Sequence, residues 1–589
     1  MIKESLFRYK NFFIGQAQAQ DKEHMKSRRA RVMDLFASDF LNSGYVTDIN
    51  ESNGRIVVKF RKGCAPRLKY LKSFVVIYKN ARTTYGENIL SWTCSFDEFI
   101  KQKSCYSQAS DIQAITYISC RDQEHDYVEC GSISLEMYSF LKDAIHKGIS
   151  PQVLLFDNYP PKDFYLNMCK FMDIYGDTPE LSMLGQSIDY NSWDPIPLRY
   201  DPENESAIAD TLYNTLQNES CCILQGPPGT GKSYTIAQII NRYLEEGKSV
   251  CSTTMTNKGL VELCQQEPLT KSVAAKLVSK TRLSADERKR VPGLEAAGKK
   301  ILPVKGHLLC TTNYILSMVY NNDGDEQSPI DEMFDLVVIE EASQTFLTTI
   351  LAFRKLGIHC LVVGDPKQLP PIISDEDNQM LNVADVESQK RGLEAYAVAS
   401  GVTSYVVTTS FRLTKKSAAL TSIFYPKGIT SVQKKRVEYA QMDTTYFPKE
   451  GGALYHVTDC SPNGTYSRPA LEVMKAIINS LEQHYPETEL AIICPYTATA
   501  KYIQREFQTS GRKIDITIET IDRVQGMTVD YCIFYIPGDN TRFSLNEKRF
   551  NVATSRSRGT TLIISDLELE NTYKFKGLVK EYILNCTRV

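Results

Sequence analysis

The chain has no C-x-x-C pair, although it carries 16 cysteines among 589 residues. That removes the usual spacing of a zinc site or a dithiol redox centre. Several cysteines (Cys221, Cys310, Cys360, Cys494, Cys532) stand in apolar, strand-like runs, and read as buried free thiols of a reducing compartment. No apolar run approaches the roughly 18 residues of a membrane span. Met1-Ile2-Lys3-Glu4-Ser5 lacks the apolar core of a signal peptide. The expectation is a cytoplasmic protein with no membrane partner. Net charge is nearly absent too, at −2, so a polyanion must be held by local basic groups and not by a global field.

What remains is an ordinary globular composition, 42% hydrophobic and 23% charged, with length for about three to five domains. The strongest stretch is Gln225-Gly226-Pro227-Pro228-Gly229-Thr230-Gly231-Lys232-Ser233. A strand-like run, Cys221-Cys222-Ile223-Leu224, precedes it, and Tyr234 to Ile240 follows at helical spacing. Strand, glycine-rich turn and helix start make G-x-x-x-x-G-K-S a phosphate site. Backbone N–H groups turn inward and the helix N-terminus adds partial positive charge. Lys232 reaches the β- and γ-phosphates and the Ser233 hydroxyl ligates Mg²⁺. The chain binds a nucleoside triphosphate.

Other motifs stand at strand ends, the edge where open α/β sheets bind ligands. Ser249 to Met255 ends in Thr256-Asn257-Lys258, and Leu308-Leu309-Cys310 ends in Thr311-Thr312. Helix capping is the alternative role for both clusters. Phe334 to Ile339 ends in Glu340-Glu341-Ala342-Ser343-Gln344. Two carboxylates beside a P-loop divide labour: one orders Mg²⁺ through its water shell and the other deprotonates the attacking water. Cys360 to Val363 runs into Gly364-Asp365-Pro366-Lys367-Gln368, where Gln368 senses the γ-phosphate. Later strand ends carry Ser410-Phe411-Arg412, Cys494-Pro495-Tyr496 and Thr520-Ile521-Asp522-Arg523-Val524-Gln525-Gly526, and Asn551 to Arg556 precedes a last strand. The acidic loop from Asn321 to Glu326 fails the register of a Ca²⁺ loop.

Taken in order, these motifs resemble those of superfamily 1 helicases, most of all the B-type branch that includes the nonsense-mediated-decay helicase and Senataxin. The resemblance covers about residues 195–570. It implies an α/β fold with two RecA-like P-loop NTPase domains and ATP in the cleft between them. It assigns the Mg²⁺ role to Glu340 and that of the base to Glu341. It also implies that Arg412 and Arg556 are arginine fingers, groups worth roughly 10³–10⁵ in rate. Phe411 would stack on adenine, and Gln368 and Gln525 would read the γ-phosphate. Departures from the family pattern occur at Glu340 (usually Asp), Asn204 (usually the adenine-reading Gln), Thr528 (often a ribose-binding Glu) and Thr499 (usually Gln).

The expected organisation is an N-terminal helical segment (1–43), a β-rich, barrel-like domain (44–135), and a helical stalk or linker (136–194). The first RecA-like domain follows (195–395), with a helical insert near 266–300, and then the second (396–589). The basic run Lys26 to Arg31 reads as a solvated helix face. Two functions stay open. One is an ATP-driven translocase and helicase moving 5′→3′ on single-stranded DNA or RNA, gripped at Thr256, Asn257, Lys258, Thr311, Thr312, Pro495, Tyr496 and Thr520. The other is a nucleic-acid-stimulated ATPase that acts as a switch within a complex. A monomer is expected, with the N-terminal region open to protein partners.

Overall fold

Short apolar runs closed by Gly, Pro or Asn turns become strands here, and the strands assort into three main sheets. The computed structural model describes residues 2–37, 41–61, 65, 71–77, 93–101, 105–106, 111–118, 125–157, 162–176, 178–280, 283, 285–297, 301–321, 330–374, 383–433, 439, 442–458, 466–507, 512–538, 541–572 and 575–589. Most of the acidic loop after Asn321 lies outside the described residues. No helix among the described residues is long and apolar enough to cross a membrane.

The first sheet is antiparallel. Its strands are β1 (Asn42–Asn50), β2 (Arg55–Arg61), β3 (Leu71–Ile77), β4 (Cys105–Tyr106), β5 (Asp111–Ile118), β6 (His125–Gly131) and β7 (Gln152–Asp157). The order is β4-β3-β5-β6-β2-β1-β7, and β3 pairs with β7 as well. That pairing closes the ring into a small barrel, which removes its open edges. The turn between β1 and β2 runs from Glu51 to Gly54, with Asn50 opposite Arg55. The expected helical stalk from 136 is corrected in part. Val153-Leu154-Leu155 is too short for a helix to be told from a strand by periodicity, and it completes the barrel against β1 and β3.

The second sheet is parallel: β8 (Ile196–Leu198), β9 (Cys221–Gln225), β10 (Val250–Thr254), β11 (Lys276–Ser279), β12 (Glu295–Ala296), β13 (His307–Thr312), β14 (Phe334–Ile339), β15 (Gly357–Gly364) and β16 (Ser404–Val407), in the order β12-β11-β13-β10-β14-β15-β9-β16-β8. Core side chains alternate between its faces. Cys221 and Ile223 enter one cluster, Cys222 and Leu224 the other. One segment and one boundary differ from expectation. The insert near 266–300 supplies edge strands β11 and β12 between short helices. The first sheet of the nucleotide-binding half extends to Val407, because β16 pairs with β9 and β8. The small parallel pair β17 (Thr409–Ser410) and β18 (Thr430–Ser431) follows. The last sheet is parallel in the order β21-β20-β22-β23-β19-β24, with β19 (Gly452–Val457), β20 (Glu489–Cys494), β21 (Asp515–Thr520), β22 (Val529–Ile536), β23 (Ser557–Ser565) and β24 (Thr587–Arg588). Core clusters cover both of its faces too.

The N-terminal helix Ile2–Arg29 docks on the first parallel sheet's outer layer. Phe12 and Phe13 meet Phe346 edge-on at 5.7 and 5.6 Å between ring centroids. Tyr9 shares a hydrogen bond with Ser388 at 2.7 Å, and Arg8 pairs with Asp385 at 2.9 Å. At the helix's end Arg28 pairs with Asp97, so part of the basic run there is matched by acid. Removing a fully buried ring leaves a cavity and costs about 3–5 kcal/mol. Phe13→Ala should therefore lower the denaturation midpoint of the chain markedly, read by thermal or urea melting; an unchanged midpoint would mean the helix is not part of this core.

Candidate nucleotide and nucleic-acid site

Strand register decides which loops meet. Gly364 stands opposite Gln225, Ile339 opposite Val362 and Thr253, and Thr254 opposite Thr312. The loops after β9, β10, β13, β14 and β15 thus emerge on one edge of one sheet, as parallel register requires.

The phosphate loop runs from Gly226 to Gly231 and caps the helix Lys232–Glu245. Gly229 and Gly231 have φ of +72° and +78°, a region that side-chain-bearing residues rarely enter. Space adds a second reason at Gly226 and Gly229. A Cβ at Gly226 would sit 2.1 Å from Lys232 Cγ, and one at Gly229 would sit 2.3 Å from Arg412 Cβ. Lys232 Nζ folds back to donate to the Gly226 carbonyl. Burial pushes its ammonium below the ordinary lysine range, against the pull of Glu341 and Asp365.

The segment after β16 closes on this loop. Phe411 N donates to Gly229 O at 2.8 Å, and Ser410 Oγ donates to Pro228 O at 3.0 Å. Arg412 Nη1 donates to Ser555 O at 3.2 Å. Arg556, 1% exposed, donates from Nε to Val552 O at 2.7 Å and from Nη2 to Gln368 Oε1 at 3.4 Å. Burial depresses both guanidiniums, Arg412 to about 9 with Arg556 as the next cause. Three cations crowded in a low-dielectric cleft call for a polyanion.

The carboxylates sit opposite. Glu340 is buried, accepts from Ser252 Oγ at 2.9 Å, and is pushed up to about 8 by burial above all. Glu341 holds a left-handed backbone, φ +51°, a conformation that stores about 1–3 kcal/mol of strain in a side-chain-bearing residue. Gln525 Nε2, from the second parallel-sheet half, donates to Glu341 Oε2 at 2.9 Å. The other amide atom, Gln525 Oε1, is buried without a hydrogen-bond partner. Gly526 follows with φ +80°. Asp365, Gln368, Tyr425 and Asn551 complete the cleft.

The residues fit a nucleoside triphosphate with a divalent cation: a collapsed glycine loop, three cations drawn from water (Arg556 fully, Lys232 and Arg412 in part), and hard oxygen donors. Ser233, in the first turn of the helix, and Glu340 would hold Mg²⁺.

Some expected residues lie elsewhere. Asn204 is exposed, and its Oδ1 accepts from Ser206 N at 3.2 Å; an Asx turn, not a base edge, uses the amide. Phe411 meets Tyr200 edge-on at 4.8 Å. Thr256 and Thr312 cap the helices that follow their strands. Thr311 is fully buried, so its hydroxyl cannot grip a backbone there; a strand interior claims it. Asn257 and Lys258 open the helix after Thr256, and Lys258 Nζ lies 3.9 Å from Glu262. Thr520 stands opposite Cys494 in register, beside Pro495 and Tyr496, at the matching edge of the last sheet. Ser252 and Tyr425 were not found by sequence reasoning. A hydroxyl inside the buried run Val250 to Thr254 was a usable signal, since buried polar atoms need partners. Tyr425, after Ile423-Phe424, carried none.

Two family models match, both described as an AAA domain, over residues 209–374 and 404–568. The chain is 20% identical over 441 residues to the DNA polymerase alpha-associated DNA helicase A of Saccharomyces cerevisiae, covering 61% of this chain and 64% of that protein. It is 24% identical over 260 residues to Helicase sen1 of Schizosaccharomyces pombe, covering 41% and 15%. Among solved structures, a PRRSV helicase is 16% identical and covers 62% of this chain and 56% of that one, with a TM-score of 0.32. The chain spans less than two thirds of the length of these curated relatives.

Glu341→Gln should still bind nucleotide and hydrolyse it at least a hundredfold more slowly, on the order expected when a general base is lost, whereas Lys232→Ala should lose nucleotide affinity as well. Near-normal turnover in Glu341→Gln rejects the assignment. Arg412→Ala and Arg556→Ala should each depress kcat by roughly 10³-fold or more with a smaller effect on nucleotide binding; wild-type kcat in either variant means that arginine is no finger.

Proposed function

We propose that this chain, which belongs to the superfamily 1 helicases of the type that includes Senataxin, is an ATP-dependent helicase and translocase on single-stranded nucleic acid. The observation that supports this best is the 2.9 Å hydrogen bond between Gln525 and Glu341. It ties the proposed base on one parallel-sheet half to a γ-phosphate reader on the other, so that the state of the nucleotide and the spacing of the two halves are one variable.

In this reading the two lobes are RecA-like. Backbone N–H groups of the phosphate loop and Lys232 seat the β- and γ-phosphates. Mg²⁺, when bound at Ser233 and Glu340, neutralises charge on the phosphoryl oxygens. Glu341 takes a proton from the attacking water, while Gln525 orients its carboxylate. Arg412 and Arg556 approach from the second half and offset the charge that builds on the transferring group. Gln368 sits between Asp365 and Arg556, placed to sense whether the γ-phosphate remains.

Hydrolysis loosens the second half, and the strand-end loops at Thr256-Asn257-Lys258, Thr312, Pro495-Tyr496 and Thr520 shift their hold on a nucleic-acid backbone. Phosphate contact positions and does not read sequence, so DNA and RNA both suit these loops. Translocation is 5′→3′, and the chain acts as an intracellular monomer. The barrel and the N-terminal helix are accessory elements, with the domains bounded near 195 and between 407 and 452.

Unwinding of duplexes with a 5′ single-stranded tail, run beside hydrolysis with and without matched single-stranded DNA and RNA, tests the reading. Stimulated hydrolysis without any strand displacement would turn it into a remodelling switch. Nucleobase choice follows from the position of Asn204. With that amide engaged in an Asx turn, stacking on Phe411 and the phosphate cradle supply the affinity, and stacking accepts any base. GTP should be hydrolysed within about tenfold of ATP in kcat/KM, a gap of ~1.4 kcal/mol. A preference for ATP above about a hundredfold, measured across the four ribonucleotides, shows that another group reads the adenine edge.

A further inference from the structure

Tyr425 is a buried phenol that none of the roles above uses. Its hydroxyl donates to Asp365 Oδ2 at 2.6 Å and accepts from Asn551 Nδ2 at 2.9 Å. Asn551 Nδ2 also reaches Lys367 O at 2.9 Å. Asp365 and Lys367 stand on the loop after β15, in the first parallel-sheet half. Tyr425 follows the β17 segment, and Asn551 lies on the helix Glu547–Thr554 in the second half. The hydroxyl therefore bridges the cleft, with one proton given and one received.

The same carboxylate oxygen, Asp365 Oδ2, accepts from Gln368 Nε2 at 2.7 Å. That contact fixes which way the Gln368 amide faces, because an ionised carboxylate accepts only. The nitrogen must point at Asp365, and the oxygen then points at Arg556 Nη2, 3.4 Å away. Asp365 is 1% exposed. Burial pushes its carboxyl up, while Lys232, Tyr425, Gln368 and the Lys367 N–H each hold it down. Without the phenol a buried acceptor loses one of its donors, which favours water entry or protonation. Either change frees the amide to turn.

We propose that Tyr425 is a positioning residue that acts through Asp365 to hold the Gln368 amide against Arg556 across the cleft. This rests on the helicase reading above and deepens it by naming what couples the γ-phosphate sensor to the second half. Three groups from that half, Tyr425, Asn551 and Arg556, converge on one short loop. A residue that merely filled space there would not need its hydroxyl. Phe424, its neighbour, packs against Phe550 and Tyr582, and the Tyr425 ring belongs to the same buried cluster, so the hydroxyl is the part of Tyr425 that turns to the cleft.

The test is Tyr425→Phe in the full chain, with Gln368→Ala and the double variant measured alongside. Tyr425→Phe should lower the kcat of single-strand-stimulated hydrolysis by about tenfold, leave KM for the nucleotide within about threefold, and melt close to the wild type. The double variant should be no slower than Gln368→Ala alone, since both act through one contact. Multiplied defects in the double variant, or an unchanged kcat in Tyr425→Phe, overturn the proposal. Wild-type chain that hydrolyses no nucleotide overturns the helicase reading and this inference with it, whereas Glu341→Gln that hydrolyses it normally rejects only the base assigned to Glu341. Normal behaviour of both controls confines any failure to Tyr425.

Discussion

Three cationic side chains share one poorly solvated cleft, and the rest of the nucleotide site is arranged around that constraint. Lys232 comes from the phosphate loop; Arg412 and Arg556 come from beyond the first parallel sheet. Each is held below its ordinary range by burial, so the cleft carries positive charge that protein carboxylates only partly offset. Like charges at close range are costly in a low dielectric. A triphosphate resolves that cost, and it does so best when both halves contribute.

The acidic side of the cleft is divided by environment. Glu340 sits deep, with Ser252 as its donor and a raised pKa, a setting that suits a group meant to meet a cation. Glu341 is one residue on, past the strand end, in a left-handed conformation that turns its carboxylate toward Gln525. Adjacent glutamates thereby face different partners. Chain direction alone would place successive side chains on opposite faces of a strand; the turn after β14 extends that separation, so that Glu340 meets Ser252 and Glu341 meets Gln525.

Glycine at 229 shows how close the two halves come. Its left-handed backbone already favours glycine, but the approach of Arg412 forbids a side chain independently. The backbone of the glycine-rich loop and the side chain of Arg412 thus limit each other's space. The same proximity lets Phe411 N pair with Gly229 O, so the segment leaving the first sheet starts inside the nucleotide site.

The sequence alone determined the parts whose geometry is local. A strand, a glycine turn and a helix cap lie within about a dozen residues, and the phosphate loop was legible from residue types at fixed spacing. The strand ends that carry Glu340-Glu341 and Gln368 were legible for the same reason, whereas Arg412 and Arg556 were legible only through the order of motifs that the family resemblance supplies. Tertiary structure decided what depends on partners far along the chain. Glu341 and Gln525 are 184 residues apart, and Asp365 and Tyr425 are 60 apart; no spacing rule links them. Strands β11 and β12 at the sheet's edge and the closing strand β7 are short runs whose periodicity fits helix or strand equally, and a neighbouring strand's unpaired N–H and C=O groups settled the matter; for β16, pairing with β9 and β8 decided which sheet it joined. Asn204 and Thr311 went elsewhere than their motifs suggested. A local Asx turn and a buried strand position had first claim on their polar atoms, because a backbone or core partner at hydrogen-bond distance outweighs a ligand contact the chain must still assemble.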